Sequence, residues 1–250
     1  MSSVKRLRIF AGPNGSGKST FINAVRKKPP IESFKLGYYI NADDIQQEFK
    51  SKKKLSIEQF GMSINSKQIQ SYFKKSTFSP VRLDNPEMWK SISIENDCIV
   101  IEKKLKINSY IAADIAEFIR QQMIKSSYSF SYETVMSDNK KIAFLRKAQR
   151  AGYRIYLYYF ATEDPLININ RVKVRVALKG HAVDSKVIEK RYYKSLENLR
   201  SAIKLADRTY LFDNSGKKSV LISEITNGKN VKILDDKNIP NWFWKYVVGE

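Results

Sequence analysis

A glycine-rich run near the N-terminus combines residue types that can bind phosphate. Gly12 to Ser19 reads G-P-N-G-S-G-K-S, which matches the pattern G-x-x-x-x-G-K-[ST]. The glycines let the backbone turn tightly around an anion, and the N–H groups of a following helix would point at it. We expect Lys18 to contact the β- and γ-phosphates of a bound nucleotide and the Ser19 hydroxyl to bind Mg²⁺. The residues predicted to bind the nucleotide are Gly12, Pro13, Asn14, Gly15, Ser16, Gly17, Lys18, Ser19 and Thr20.

The segments on both sides of this run are those that a phosphate loop requires. Arg6 to Ala11 reads R-L-R-I-F-A, the composition of a short buried strand, and Ser19 to Arg26 has the composition of a helix. A glycine-rich turn without chemical function would need neither of them. The context therefore favours a phosphate loop over a chance match.

Carboxylates stand at the ends of two later predicted strands. Asp43 comes directly after Gly37 to Ala42, and Glu133 with Thr134 ends Ser129 to Val135. Polar groups at the carboxyl ends of strands face the ligand edge of an open α/β sheet. An aspartate there can accept the proton of an attacking hydroxyl. The alternatives without chemistry are that Asp43 or Asp44 caps a helix and that Glu133 and Thr134 only end a strand.

Two arginines have the spacing of a phosphate clamp. Arg171 and Arg175 lie one turn apart on a helix predicted to begin at Pro165, so both guanidinium groups would lie on one face. Arginines stabilise the charge on a transferring phosphoryl group. The alternative is that both are solvated charges. Behind an intact phosphate loop, the arginines and Asp43 favour a small-molecule kinase.

Strand and helix patterns alternate along most of the chain. This alternation predicts an α/β fold, a three-layer sandwich of the phosphate-loop NTPase type with a mostly parallel, kinase-like sheet. Residues 48–106 interrupt it and are too long for an ordinary connection, although Ser91 to Glu102 could form a hairpin about Glu95-Asn96-Asp97. We expect one kinase domain over residues 1–250, with an inserted subdomain or lid at residues 48–106. The sequence also predicts helices over Ile107 to Lys125, from Asp138 to Gly152 and from Asp184 toward Ala206, and strands over Tyr153 to Ala161 and Thr209 to Phe212.

The composition limits the class of protein. With 250 residues, 42% of them hydrophobic, the chain can bury a continuous core. The single cysteine, Cys98, excludes an intrachain disulfide, and with one histidine, His181, a zinc site is not expected. No apolar run approaches membrane-spanning length, and the N-terminus lacks the apolar core of a secretion signal. We therefore expect a cytoplasmic protein without a membrane partner.

The net charge of +20 indicates an anionic partner, such as a nucleotide, RNA, an acidic protein or a membrane surface. The lysines are spread along the chain, mostly in pairs, and no RNA-binding motif or interleaved basic and aromatic platform stands out. Nucleic acid is therefore a partner that the sequence allows but does not favour.

A phosphate loop by itself is common to kinases, GTPases, motors and transport ATPases. The chain has no N-K-x-D motif for guanine and no apolar strand ending in paired acids, which argues against a GTPase and a motor ATPase. Two alternatives to a small-molecule kinase stay open. One is a polynucleotide or RNA-end kinase, and the other is a module that binds RNA in a nucleotide-dependent way without transfer.

A series of segments follows one another along the chain: GPNGSGKST, INADDI, SFSYET, AGYRIYLYYF, RVKVRVALKGHAV, RYYKSLENL and ADRTYLFDNS. This series resembles the zeta-toxin family of phosphate-loop kinases and covers most of the chain outside residues 48–106 and the last twenty-five residues. The resemblance implies ATP-dependent phosphorylation of a hydroxyl on a UDP-amino sugar, best known as UDP-N-acetylglucosamine. It also implies the toxin of a toxin–antitoxin pair, whose antitoxin would be an acidic protein.

The resemblance further implies roles for single residues. It assigns Asp43 as catalytic base, Lys18 and either Arg171 or Arg175 to the phosphates, and Ser19 to the metal. The residues assigned to the substrate are Asn41, Asp43, Glu133 and Thr134. Arg175 and Arg191 are candidates for a second family arginine, with Arg191 the more structural of the two. Many members read G-G-H where this chain has Lys179-Gly180-His181, and His181 is assigned either a phosphate contact or a structural role.

Overall fold

The structure, a computed structural model, describes residues 4–29, 34–76, 85–178, 182–236 and 238–249. Its strands are β1 (Arg6–Ala11), β2 (Tyr38–Ile40), β3 (Lys54–Ser56), β4 (Ile92–Glu95), β5 (Cys98–Ile101), β6 (Phe130–Thr134), β7 (Arg154–Ala161), β8 (Arg208–Asp213), β9 (Val220–Thr226) and β10 (Asn230–Ile233).

The helices are α1 (Lys18–Lys27), α2 (Ala42–Lys52), α3 (Ser66–Lys75), α4 (Ser109–Lys125), α5 (Asn139–Arg150), α6 (Pro165–Ala177), α7 (Ser185–Glu197), α8 (Leu199–Ile203) and α9 (Asn241–Phe243). Short 3₁₀ turns cover Glu58–Phe60 and Met88–Ser91, and a π-helical turn covers Trp244–Val248.

The chain divides into two compact units: a larger unit, Met1–Leu36 with Ser131–Glu250, and a smaller unit, Gly37–Phe130. In the larger unit the strands lie in the order β10-β9-β8-β7-β1-β6. β7 pairs in parallel with β1 and β8, whereas β9 and β10 extend the sheet with antiparallel pairs. The predicted fold class, a mostly parallel α/β sheet of the phosphate-loop kinase type, is confirmed.

Aromatic side chains pack across neighbouring strands and hold α1 against the sheet. Phe10 of β1 pairs with Tyr158 of β7, and their rings stack with centroids 4.9 Å apart. Phe160 of β7 stacks on Phe212 of β8 at 4.6 Å. Phe21 of α1 contacts both of these rings, with centroids 5.0 and 5.2 Å away. Full burial of one such ring contributes about 1.5–3 kcal/mol, so these contacts fix the helix that follows the glycine-rich run.

The smaller unit contains a three-stranded antiparallel sheet, in the order β3-β5-β4, and helices α2, α3 and α4. The predicted hairpin is confirmed, because β4 pairs with β5 and the turn residues Asn96 and Asp97 have φ of 47° and 54°. Ile45 and Phe49 of α2 are buried, and α2 packs against α4. Because α2 begins before residue 48 and α4 begins after residue 106, the compact unit extends beyond both ends of the predicted insertion. A lid function for it stays a prediction.

Within the described ranges, no helix has the length and apolar character that crossing a membrane requires.

Candidate active site

The glycine-rich run joins β1 to α1, and its glycines lie where side chains would collide with other elements. Gly12 has φ +139°, and a Cβ there would stand 2.0 Å from the carbonyl oxygen of Phe160 in β7. Gly17 has φ +91°, and its Cβ would stand 1.9 Å from Nδ2 of Asn214. Left-handed backbone is costly for any other residue type. Both glycines are therefore required by the close approach of β7 and of the segment after β8.

Lys18, the first residue of α1, places its ammonium group against the loop itself. The side chain is only 8% exposed, and Nζ donates to the carbonyl oxygens of Gly12 at 2.6 Å and Pro13 at 2.7 Å. The loop thus carries a positive charge in addition to the N–H groups at the start of α1, where the helix dipole also favours anions.

Ser16 gives a test of whether a phosphate suits this loop. Its hydroxyl is fully buried and has no hydrogen-bond partner among the described residues. A buried polar group without a partner costs about 1–3 kcal/mol. A phosphate oxygen would accept its proton, so the residues present fit a bound nucleotide phosphate.

The predicted metal ligand lies beside a carboxylate. Ser19 Oγ donates to Glu133 Oε2 at 2.7 Å. Glu133 reaches it because β6 is the sheet neighbour of β1, and the loop is joined to the same strand end by a bond from Gly12 N to Thr134 O of 3.3 Å. The Thr134 hydroxyl accepts from Met136 N at 3.1 Å. Hydroxyl and carboxylate oxygens are ligands that Mg²⁺ uses, so this pair fits a magnesium ion shared with the nucleotide phosphates.

In the part of the chain that the structure describes, no group of three or more His, Cys, Asp or Glu side chains could hold a metal ion. Mg²⁺ usually takes one or two carboxylates, phosphate oxygens and several waters, which is compatible with Ser19 and Glu133 as its protein ligands.

The proposed base lies in the smaller unit, at the start of α2. Asn41, and not an aspartate, caps this helix, since its Oδ1 accepts from Asp43 N at 2.8 Å. The Asn41 side chain also donates from Nδ2 to Tyr39 Oη at 3.0 Å, which fixes its orientation. Asp43 is exposed in the first turn, where the helix dipole stabilises acidic side chains. The alternative that Asp43 is only the cap is therefore wrong.

Of the two predicted clamp arginines, Arg171 is tied to the segment that follows β8. Its guanidinium donates to Asn214 O at 2.7 Å and to Gly216 O at 3.0 Å. Arg175 lies one turn further along α6 with an exposed side chain. A direct phosphate contact stays a prediction for both arginines. Lys179, Gly180 and His181 lie outside the described residues.

Two asparagines that sequence reasoning missed contact the loop. Asn168 of α6 donates from Nδ2 to Asn14 O at 2.6 Å, and Asn214 donates from Nδ2 to Ser16 O at 2.7 Å. Asn214 carried a usable signal, because it lies two residues after the predicted core strand Thr209 to Phe212, at the ligand edge of the sheet. Asn168 carried none, since an asparagine within a helix has the same pattern as a solvated surface residue.

The sequence pattern of the zeta toxin family matches residues 63–226, which is more than half of the chain. The chain belongs to the zeta toxin family. The family assignment that the sequence resemblance predicted is therefore confirmed. The matched range includes Glu133, Asn168, Arg171 and Asn214.

Solved structures show the same fold at low sequence identity. A chain of the AvrRxo1-ORF1:AvrRxo1-ORF2 complex with sulphate ions is 11% identical, with a TM-score of 0.57, over 98% of this chain and 64% of that one. The complex with ATP gives 12% identity and a TM-score of 0.52, with the same coverage. This chain thus spans less than two thirds of the length of each of these two chains.

One curated relative is an uncharacterized protein of Haemophilus influenzae, which is 30% identical over 69 residues. The alignment covers 28% of this chain and 49% of that protein, so the chain matches about half the length of the relative. Family membership therefore rests on the match to the zeta toxin pattern. The similarity to the solved structures supports the fold alone.

Proposed function

We propose that this zeta toxin family member is a kinase that transfers the γ-phosphoryl group of ATP to a hydroxyl of a small molecule. The contact that carries the proposal is the 2.7 Å hydrogen bond from Ser19 to Glu133, at a loop that also holds the Lys18 ammonium. A phosphate loop with a lysine, a hydroxyl and a carboxylate at its end combines phosphate binding with a site for Mg²⁺. A loop that only binds anions would need no carboxylate there.

In this proposal Lys18 and the N–H groups of the loop bind the β- and γ-phosphates, and Ser19 with Glu133 orients the metal. When bound, Mg²⁺ neutralises charge on the phosphates as the γ-phosphoryl group leaves. Glu133 was expected on the substrate side from family resemblance. Its contact with Ser19 supports a place at the metal end instead, with Thr134 and Asn41 kept as substrate candidates.

Asp43 is the proposed general base. It would accept the proton of the acceptor hydroxyl as the bond from that oxygen to phosphorus forms. Two observations support the assignment: the carboxylate is exposed, and Asn41 performs the capping role that would otherwise explain an acidic residue there. Arg175, exposed on α6, is the proposed phosphate-binding arginine.

We propose a UDP-amino sugar, such as UDP-N-acetylglucosamine, as the acceptor, and an acidic antitoxin as a protein partner. Family membership supports both, and the net charge of +20 suits an acidic partner and an anionic substrate.

The test is transfer of ³²P from ATP in the presence of Mg²⁺ to UDP-N-acetylglucosamine and to a panel of nucleotide metabolites. Asp43→Ala should abolish transfer and leave ATP affinity within about twofold, because general base catalysis is worth about 10²–10⁴-fold. Asp44→Ala is the matched control, as it removes a neighbouring exposed carboxylate of the same helical turn. Lys18→Ala should reduce both transfer and ATP affinity.

Failure of the wild-type protein to label any metabolite would refute the small-molecule kinase. The charge of +20 also favours one second candidate, an RNA-end kinase, so RNA with a 5′-hydroxyl belongs in the same assay. Labelled RNA, with binding that falls steeply as salt rises, would support that candidate.

A further inference from the structure

We propose that Asn168 and Asn214 are positioning residues that turn two carbonyl groups of the phosphate loop away from the nucleotide and so aim the neighbouring N–H groups at it. The inference rests on the proposed function, since it assumes that the loop binds ATP. It adds residues for which neither the sequence nor the family comparison supplied a role.

Asn168 is held at both ends of its amide. It is fully buried on α6, its Nδ2 donates to Asn14 O at 2.6 Å, and its Oδ1 accepts from the hydroxyl of Thr162. Because the carbonyl of Asn14 can only accept, the NH₂ group must face the loop, which leaves Oδ1 to accept from the Thr162 hydroxyl. Thr162 is itself fixed, as its carbonyl accepts from Tyr192 Oη at 2.6 Å.

Tyr192 remains a hydrogen-bond donor over the ordinary pH range. Burial, and then the carboxylate of Glu163, raises the pKa of Tyr192 well above its usual value. Tyr192 therefore holds the backbone of Thr162, whose hydroxyl contacts the Asn168 amide that ends on the carbonyl of Asn14.

Asn214 is held by its backbone. Its N–H donates to Ala161 O of β7 at 2.8 Å, and its carbonyl accepts from Arg171 at 2.7 Å. With the main chain fixed on both sides, its Nδ2 reaches Ser16 O at 2.7 Å. The guanidinium of Arg171 also donates to Gly216 O at 3.0 Å, so it fixes the backbone of the segment after β8 beside this contact.

Peptide geometry connects these contacts to phosphate binding. In a trans peptide the C=O and N–H groups point in opposite directions. The carbonyl of Asn14 shares its peptide with the N–H of Gly15, and that of Ser16 shares its peptide with the N–H of Gly17. Binding both carbonyls from outside therefore turns both N–H groups to the opposite side, and it removes two negative oxygen dipoles from the path of an anion.

Arg171 has a different role in this arrangement from the one that family resemblance implied. Its hydrogen bonds end on backbone carbonyls of the segment that carries Asn214. We assign it as a positioning residue that acts on ATP through Asn214.

The experiment compares ATP affinity with stability in matched asparagine variants. Asn168→Ala and Asn214→Ala each remove one donor to the loop, whereas Asn198→Ala removes a donor to Met136 O, which lies outside it. ATP affinity is measured by isothermal titration calorimetry and stability by urea unfolding. We expect each loop variant to bind ATP about tenfold more weakly, equivalent to about 1.4 kcal/mol, and the Asn198 variant to lose stability without loss of affinity.

Asn214→Asp keeps the side-chain shape but sets a carboxylate oxygen against Ser16 O, so it should weaken ATP binding more than the alanine variant. If the alanine variants do not fold, the wild-type protein supplies another readout. Its Asn168 and Asn214 side-chain amide protons should exchange slowly with solvent, and rapid exchange of both would overturn the proposal.

These measurements distinguish failure of the proposed function from failure of the positioning role. A wild-type protein that does not bind ATP refutes the proposed function. A wild-type protein that binds ATP, with folded loop variants of equal affinity, overturns the positioning role alone.

Discussion

The glycine at the start of the phosphate loop offers a graded test of the local geometry. Replacing Gly12 by alanine adds a Cβ 2.0 Å from Phe160 O in a backbone with φ +139°. Two other glycines serve as matched controls. Gly152 has φ +75° but its nearest neighbour would be Lys5 Cε at 3.6 Å, and a Cβ on Gly216 would meet nothing within 4 Å.

The expected magnitudes follow from separate terms. An alanine with positive φ loses about 1–2 kcal/mol, and the stiffer unfolded chain returns about 0.4–1 kcal/mol. Gly152→Ala should therefore cost about 1 kcal/mol or less, and Gly216→Ala should leave stability unchanged or raise it slightly. Gly12→Ala adds an overpacking cost of about 1–3 kcal/mol, because the obstacle is backbone in the middle of the sheet, so we expect a loss of about 3 kcal/mol.

Urea unfolding measures these differences, provided that the larger unit is followed by itself. Trp242 and Trp244 belong to that unit and Trp89 to the smaller one, so a Trp89→Phe background makes fluorescence report on the larger unit. The free energy of unfolding comes from the midpoint and the slope. A Gly12→Ala variant that loses no more stability than Gly152→Ala would refute the steric account of the loop.

Two further predictions concern the metal and the pH dependence of stability. Glu133→Gln keeps the shape of the side chain but removes its charge. The complex of this variant with a non-hydrolysable ATP analogue should bind Mn²⁺ at least tenfold more weakly than the wild-type complex, as measured by electron paramagnetic resonance. Equal Mn²⁺ affinity would show that Glu133 is not a ligand of the metal. Burial raises the pKa of Tyr153 to about 12, so the fold loses stability as the unfolded chain ionises above about pH 10. Tyr153→Phe should reduce the fall in the urea midpoint between pH 9.5 and about 12, and an unchanged slope would contradict this cause.

Local signals in the sequence predicted the element ends that depend on local chemistry. Asp138 and Asp184 were expected to open helices, and each accepts a backbone N–H from the first turn of α5 and α7. Asn96 and Asp97 were expected in a hairpin turn, and their positive φ values are those that a tight hairpin needs. These features depend on contacts between residues only a few positions apart.

Such local signals do not predict contacts between residues that are far apart in the chain. The bond between Ser19 and Glu133 depends on β6 lying beside β1, and a sequence does not state strand order. The helix expected from Asp184 toward Ala206 is present as α7 and α8, which only Asn198 separates; its backbone stays helical, with φ −79° and ψ −13°. What the periodicity did not predict is the contact of its side chain, whose Nδ2 donates to Met136 O at 3.0 Å.

The loop geometry and the family assignment come from different parts of the chain. The family pattern begins at residue 63, after both the phosphate loop and Asp43, so it did not use the residues on which the proposed chemistry mainly depends. The loop's closest supports, however, lie inside the matched range: Glu133 on Ser19, Asn168 on Asn14 and Asn214 on Ser16. Two independent observations thus meet at one loop. These supports and the loop belong to the larger unit, and Asp43 belongs to the smaller one. We therefore expect variants of the two groups to change different measured quantities. Loop variants should change ATP affinity, and Asp43→Ala should change transfer alone.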